Sequence, residues 1–219
     1  MKISKINFII SLLIKIYLKR SFKHFIFELI DIFLIDFKYN TRTFVRVNNS
    51  KDNYVPYYTT IFKKNIKKLK KYIRFENTYL IDLGCGKGRI LLSSINLGFK
   101  KIIGIEKNKD LYLECKKNIN KNNLNNKINL FNQDFLKLNI NVKKGKNIVF
   151  FWYGSGKKSQ LKKIIFGYKR KYSKDKIFFY IIPDKHVPKH NSVKSLYHLI
   201  DFQNDKTRNS KIITFLENY

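Results

Sequence analysis

Acidic side chains are scarce in this chain: 15 of its 219 residues are Asp or Glu, against 46 Lys or Arg. Each carboxylate is therefore worth locating. Cysteine is scarce too. Cys85 and Cys115 are the only two, with no CxxC spacing and no neighbouring His, which excludes a zinc knuckle or ribbon and points to a reducing compartment without structural zinc. The four histidines, His24, His186, His190 and His198, lack an HExxH or comparable spacing and read as surface or packing residues. Long apolar runs are missing as well. The longest uncharged run in the greasy first 37 residues, Ile6 to Ile14, falls well short of the ~20 residues that span a bilayer. No small-residue cleavage site follows it, so no secretory signal is expected.

The formal charge is +31. Such a balance ordinarily indicates nucleic acid or an anionic membrane. Here Lys outnumbers Arg 39 to 7 in a chain also crowded with Asn, Ile, Tyr and Phe, the joint signature of an AT-rich genome. Phosphate and base recognition favours Arg forks, so compositional bias accounts for most of the charge and a polyanionic partner is the alternative.

The length suits one domain, here residues 38–219, with residues 1–37 as an apolar and basic helical extension. Within the extension, Phe22, Phe25, Ile26, Leu29, Ile30 and Phe33 recur at helical spacing and predict an amphipathic helix. Lys2, Lys5, Lys15, Lys19 and Arg20 surround an apolar stripe in its first half, a pattern suited to a membrane surface or to packing on the domain or on a second copy. Residues 38–56, polar and closed by Pro56, read as a connecting loop. In "TTIFKKNIKKLKKYI", Phe62, Ile66, Leu69 and Ile73 form one helical stripe with Lys on the solvated side.

From Thr78 short apolar runs alternate with helical periods. Strands are expected at Tyr79–Leu83, Lys101–Ile105, Ile128–Phe131, Asn147–Trp152 and Lys176–Ile182. Helices are expected at Ile90–Leu97, at Asp110–Asn120 with Leu111, Cys115 and Ile119 inward, and around Leu161 to Tyr168. This alternation implies an α/β fold, a Rossmann-like doubly wound sheet, mostly parallel. The runs "LYHLIDFQ" and "SKIITFLENY" close it with an antiparallel C-terminal hairpin.

The first strand runs into "DLGCGKG". In doubly wound sheets the ligand sits beyond the carboxyl ends of the strands, beside the first one. Gly84, Gly86 and Gly88 give a GxGxG spacing, whereas a dinucleotide fingerprint wants its third glycine one place later, where Arg89 stands. A carboxylate before the loop, Asp82, would repel a pyrophosphate but attract an ammonium or a sulfonium, and S-adenosylmethionine carries both. Glu106 ends the second strand, where a carboxylate accepts from two ribose hydroxyls. After the third strand Asp134 would accept from an adenine amino group, with Phe135 packed on the base.

These residues resemble the core of class I S-adenosylmethionine-dependent methyltransferases, whose first motif reads hydrophobic-D-x-G-x-G-x-G. The resemblance implies that Asp82, Gly84 and Gly86, with Gly88 completing the turn, line the methionine end, that Glu106 holds the ribose, and that Asp134 and Phe135 meet the adenine. Upstream, "IDFKYNTRTF" and "NYVPYYTTIFKKNI" resemble a bacterial branch of the class and, more distantly, the family that methylates lysine in the ATP synthase c-subunit. There a Tyr-x-Pro loop closes over the cofactor, which implies that role for Tyr54, Pro56 and Tyr57. The likeness spans roughly residues 36–185. It departs after the fourth strand, where relatives carry a proline turn with an amide or carboxylate and this chain reads "FFWYGSG".

Trp152 and Tyr153 occupy that place and are the candidate catalytic residues, offering aromatic faces to a cationic methyl or a lysine acceptor; packing at the strand end is the alternative reading. The expected activity is methyl transfer from S-adenosylmethionine to a protein, RNA or small-molecule acceptor, a protein lysine slightly ahead, with no metal. The location expected is the cytoplasm, at the membrane surface if residues 1–37 make peripheral contact. Two other readings stand beside it: a non-catalytic module that binds RNA or anionic membrane, and a nicotinamide-dependent oxidoreductase, against which Asp82 and Arg89 both speak.

Overall fold

The computed structural model describes residues 22–45, 47–48, 53–137, 146–154, 163, 167–168 and 177–183. Five short strands form one parallel sheet: β3 (Thr78–Leu83), β4 (Lys101–Ile105), β5 (Ile128–Phe131), β6 (Asn147–Gly154) and β7 (Ile177–Pro183), in the order β5-β4-β3-β6-β7. The chain steps outward from β3 through β4 to β5, then returns to the other side of β3 for β6. That reversal puts the switch point beside β3. The central strands are rich in Ile, Val and Phe because a parallel sheet is covered on both faces.

Alternation along the strands divides the interior in two. Leu80, Ile102, Val149 and Phe151 pack on one face with Phe62, Ile66, Leu91, Cys115 and Ile119. Ile81, Leu83, Ile103, Ile105, Phe150 and Trp152 pack on the other with Tyr168 and Phe179. Helices α2 (Thr59–Ile66), α3 (Arg89–Ser94) and α4 (Lys109–Lys121) supply the first face. All four stripe residues expected in and after α2, Phe62, Ile66, Leu69 and Ile73, are buried, although the helix tightens to 3-10 over Lys67–Lys71. In α4, Leu111, Cys115 and Ile119 face inward as the spacing predicts. The expected C-terminal hairpin, most of the helix around Leu161 to Tyr168, and the extension before Phe22 lie outside the described residues. Among the described residues no helix is long and apolar enough to cross a membrane.

Two expectations are corrected upstream of the sheet. Residues 38–56 are not wholly irregular, because β1 (Val47–Asn48) and β2 (Asn53–Tyr54) pair antiparallel in a small hairpin. In α1 (Phe22–Asp31), which continues as a π-helical turn over Ile32–Phe37, the stripe ending at Ile30 and Phe33 does not face inward: Ile30 and Phe33 are exposed, while Glu28, Asp31, Ile32, Ile35 and Asp36 are buried.

The reason is an ion cluster. Arg89, 2% exposed at the start of α3, donates from Nη2 to Asp36 at 2.9 Å, from Nη1 to Asp31 at 3.4 Å and from Nε to the Thr43 hydroxyl at 3.1 Å. Burial alone would pull its guanidinium down; Asp36, Tyr54, Glu28 and Asp31 outweigh that and hold it above its ordinary value. Asp36 also accepts from the Thr41 hydroxyl at 2.7 Å and the Thr43 amide at 2.5 Å. Asp31 caps α2 from a distance, accepting from the Thr59 amide and hydroxyl at 2.6 Å each and from the Thr60 amide at 3.2 Å. Those amides are first-turn donors with no partner inside their own helix, and a carboxylate there also suits the helix dipole. One set of buried charges thus ties α1, α2 and the start of α3 together.

Candidate active site

The carboxyl ends of the strands form a row, with Leu83 registered against Ile105 on one side and Trp152 on the other, and Ile105 against Phe131. The loop Gly84–Gly88 leaves this row and turns back over it. Gly84 and Cys85 both donate their amides to Ile105 O at 2.9 Å, which holds the loop against the end of β4. Gly86 (φ +53°) and Gly88 (φ +86°) adopt left-handed backbone that other residues reach only with strain. Space forbids a side chain as well: a Cβ on Gly86 would lie 2.2 Å from the Tyr54 ring, and one on Gly88 would lie 2.6 Å from Cys115 Sγ.

Glu106, the residue after β4, reaches back to this loop. Its Oε2 accepts from the Gly86 amide and its Oε1 from the Asn108 amide, both at 2.8 Å. Its own backbone is held by Phe131 O at 3.0 Å and by the Asn132 side chain at 2.8 Å. The carboxylate is fixed at the place where strand β4 ends.

Asp82 differs. It is 2% exposed, and among the described residues no donor meets its carboxyl. Burial, with Glu106 adding to it, pushes the group well above its ordinary value of 3.8. A buried carboxyl without a partner is costly, and a cationic group brought beside it would remove that cost. The residues therefore fit a ligand that carries positive charge near Asp82 and hydroxyl donors near Glu106.

Tyr54 roofs the loop. Its ring covers Gly86, its hydroxyl donates to Thr43 O at 2.8 Å, and burial, with Arg89 opposing it, raises its phenol well above the ordinary range. Thr43 in turn accepts from Arg89, so the ion cluster anchors the roof of the glycine loop. Lys87, itself in the loop, is buried with its ammonium 3.2 Å from Glu114 and 5.6 Å from the Tyr54 ring centre. Cys85, also in the loop, has its thiol pushed up chiefly by burial.

Asp82, Gly84, Gly86, Gly88 and Glu106 are thus gathered at one strand edge. Asp134 is half-buried beyond β5, where its Oδ1 accepts from the Leu136 amide at 2.9 Å and its Oδ2 lies 3.8 Å from Lys107. Phe135 packs against the second core cluster, its carbonyl accepting from the Tyr168 hydroxyl at 2.7 Å. Tyr57 is buried, with ring centres 5.7 Å from Phe151 and 5.1 Å from Tyr153. The two residues after the fourth strand's core point to opposite faces: Trp152 is 5% exposed within the second cluster, and Tyr153 is half-buried against the first. Arg89, Asp31, Asp36, Thr43 and Lys87 were not foreseen as supports of the site. The available signal was three acids, Glu28, Asp31 and Asp36, close together in a mostly apolar helix and in a chain poor in acids.

Residues 59–150 match the family model of ribosomal protein L11 methyltransferase (PrmA). The fold is shared with the N-terminal domain of human METTL16 at a TM-score of 0.55 and 14% identity, over 84% of this chain and 75% of that one. An RNA methyltransferase from Salinibacter ruber in complex with S-adenosyl-L-homocysteine is 21% identical over 52% of this chain and 70% of that one, with a TM-score of 0.42. StiE O-MT (residues 942–1257) is 21% identical over 41% of this chain, with a TM-score of 0.32. The chain spans 32% of that structure, about a third of its length.

Proposed function

We propose that this chain, a class I S-adenosylmethionine-dependent methyltransferase, transfers its methyl group to an amino group of a protein. The observation that carries the cofactor assignment is Asp82, buried beside a glycine loop with no donor to its carboxyl among the described residues. When bound, the cofactor supplies an electrophilic methyl on a cationic sulfur, so the chain has no hard chemistry of its own to perform. Its work is alignment and exclusion of water.

In this reading Asp82 faces the cofactor's positive methionine end and Glu106 accepts from the ribose hydroxyls while keeping its bond to the Gly86 amide. Asp134 and Phe135 stand one strand further out, at the base end. Gly86 and Gly88 let the loop approach closely, and Tyr54 shuts its far side. Tyr153, half-buried with its ring 5.1 Å from that of the buried Tyr57, offers an aromatic face near the end of β6. An alkylammonium would be drawn to such faces, and loss of solvent there favours the neutral amine that must attack. The name of the matching family, a ribosomal-protein methyltransferase, supports a protein acceptor over RNA or a small molecule.

The test is transfer of labelled methyl from S-adenosylmethionine into an extract of the source cells. Protease-sensitive, nuclease-resistant label that is absent with Asp82→Ala supports the proposal. Label destroyed by ribonuclease would reassign the acceptor to RNA, and no incorporation by protein that binds the cofactor would favour a non-catalytic role.

A further inference from the structure

Helix α1 and the π-helical turn after it bury their acidic residues, with Ile32 and Ile35, and hold other apolar side chains outward. Glu28, Asp31 and Asp36 point inward, and Asp31 and Asp36 are bonded to Arg89, Thr41, Thr43, Thr59 and Thr60. Rotating the helix would strip two buried carboxylates of their partners, which is strongly unfavourable. The outward face is therefore fixed outward. It carries Ile30, Phe33, Leu34 and Phe37 at 37%, 58%, 45% and 46% exposure, with the Phe33 and Phe37 rings stacked at 5.1 Å. Clustered large apolar side chains held in water mark an interaction surface.

The charge around this face indicates its partner. The sequence leading into it, residues 1–27, contains six Lys or Arg and no Asp or Glu, within an otherwise apolar stretch. Lys38 follows Phe37 directly and is exposed. Burial lowers Lys63, the buried Asp31 opposes that, and Lys38 and Lys67 both lie close enough to lower it further. Apolar side chains flanked by cations are the composition that settles into the headgroup boundary of an anionic bilayer.

We infer that Ile30, Phe33, Leu34 and Phe37 form a docking face for an anionic lipid surface. Phe33 and Phe37 enter the interface, and the flanking lysines meet lipid phosphates. This peripheral contact is independent of the methyl acceptor, and the ion cluster that fixes the face also anchors the loop roof.

The test is co-sedimentation of the full chain with vesicles of phosphatidylcholine alone or containing about a third phosphatidylglycerol. Binding should require the anionic lipid and weaken with added salt. The double variant Phe33→Ser/Phe37→Ser should bind at least about tenfold more weakly, since two aromatic side chains no longer leave water. Its thermal midpoint and cofactor affinity should match those of the parent, because neither ring is in the core. Three results overturn the inference: no sedimentation with either vesicle, equal binding by the double variant, or a dimer by light scattering that the double variant splits while vesicles bind neither form. The last would make a second copy of the chain the occupant.

Discussion

Replacing Arg89 by Leu removes the guanidinium that pairs with both Asp31 and Asp36 in the interior. The guanidinium makes three bonds, at 2.9, 3.1 and 3.4 Å, and both aspartates are essentially excluded from solvent. Breaking a buried pair from one side leaves uncompensated charge and costs about 3–5 kcal/mol. That is a large fraction of the roughly 5–15 kcal/mol that holds a domain folded. For a chain of this size each kcal/mol shifts the thermal midpoint by about 2–4 °C, so Arg89→Leu should melt about 6–20 °C lower. The assay is thermal unfolding followed by circular dichroism. Arg74→Leu serves as the control, because the Arg74–Glu76 pair is as short, at 2.9 Å, but its side chains are 82% and 64% exposed. Exposed pairs contribute little, and the control should melt with the parent. If Arg89→Leu melted within about 2 °C of the parent, less than about one kcal/mol would be at stake and the ion cluster would not be what orients α1.

Other consequences are equally specific. Because Asp82 titrates above 3.8 in the folded chain, between 3.8 and its folded value the apoprotein holds a proton that the unfolded chain has lost. Its contribution is present below 3.8 and is lost as pH rises through the folded value, so the Asp82→Asn variant should gain stability relative to the parent along that rise. Binding of a cationic cofactor should release that proton, which calorimetry in buffers of different ionisation enthalpy would detect in the parent and not in Asp82→Asn. Gly86→Ala forces a methyl into the Tyr54 ring on left-handed backbone; a loss of about 1–3 kcal/mol with abolished cofactor binding is expected by denaturant titration. Tyr54→Phe removes only the hydrogen bond to Thr43 O, so a small loss of stability, about 1 kcal/mol, should accompany a several-fold weaker cofactor affinity.

The sheet was legible because parallel strands covered on both faces read as apolar runs, and the spans around Leu80, Ile103, Leu130 and Phe150 fall in the strands observed. The glycine loop was legible because Asp82 and Glu106 are rare acids at strand ends. What the sequence hid depends on partners far apart in the chain. Asp31 and Asp36 look like solvent-facing positions of an amphipathic helix until Arg89 is brought beside them, and no local pattern announces that pairing. The outward turn of Ile30 and Phe33 follows from the same long-range contact. Likewise, "FFWYGSG" gives no hint that alternation buries Trp152 in one cluster and leaves Tyr153 beside Tyr57, because which face each strand residue takes depends on register with β3.

The most direct measurement is calorimetric titration of S-adenosylmethionine and S-adenosylhomocysteine into the parent chain, Asp82→Ala and Glu106→Gln. The account predicts micromolar binding of both ligands by the parent, at least about tenfold weaker in each variant, with the sulfonium ligand suffering more than its neutral counterpart when Asp82 is lost. Binding unchanged by Asp82→Ala, or no binding by a folded parent chain, would contradict it.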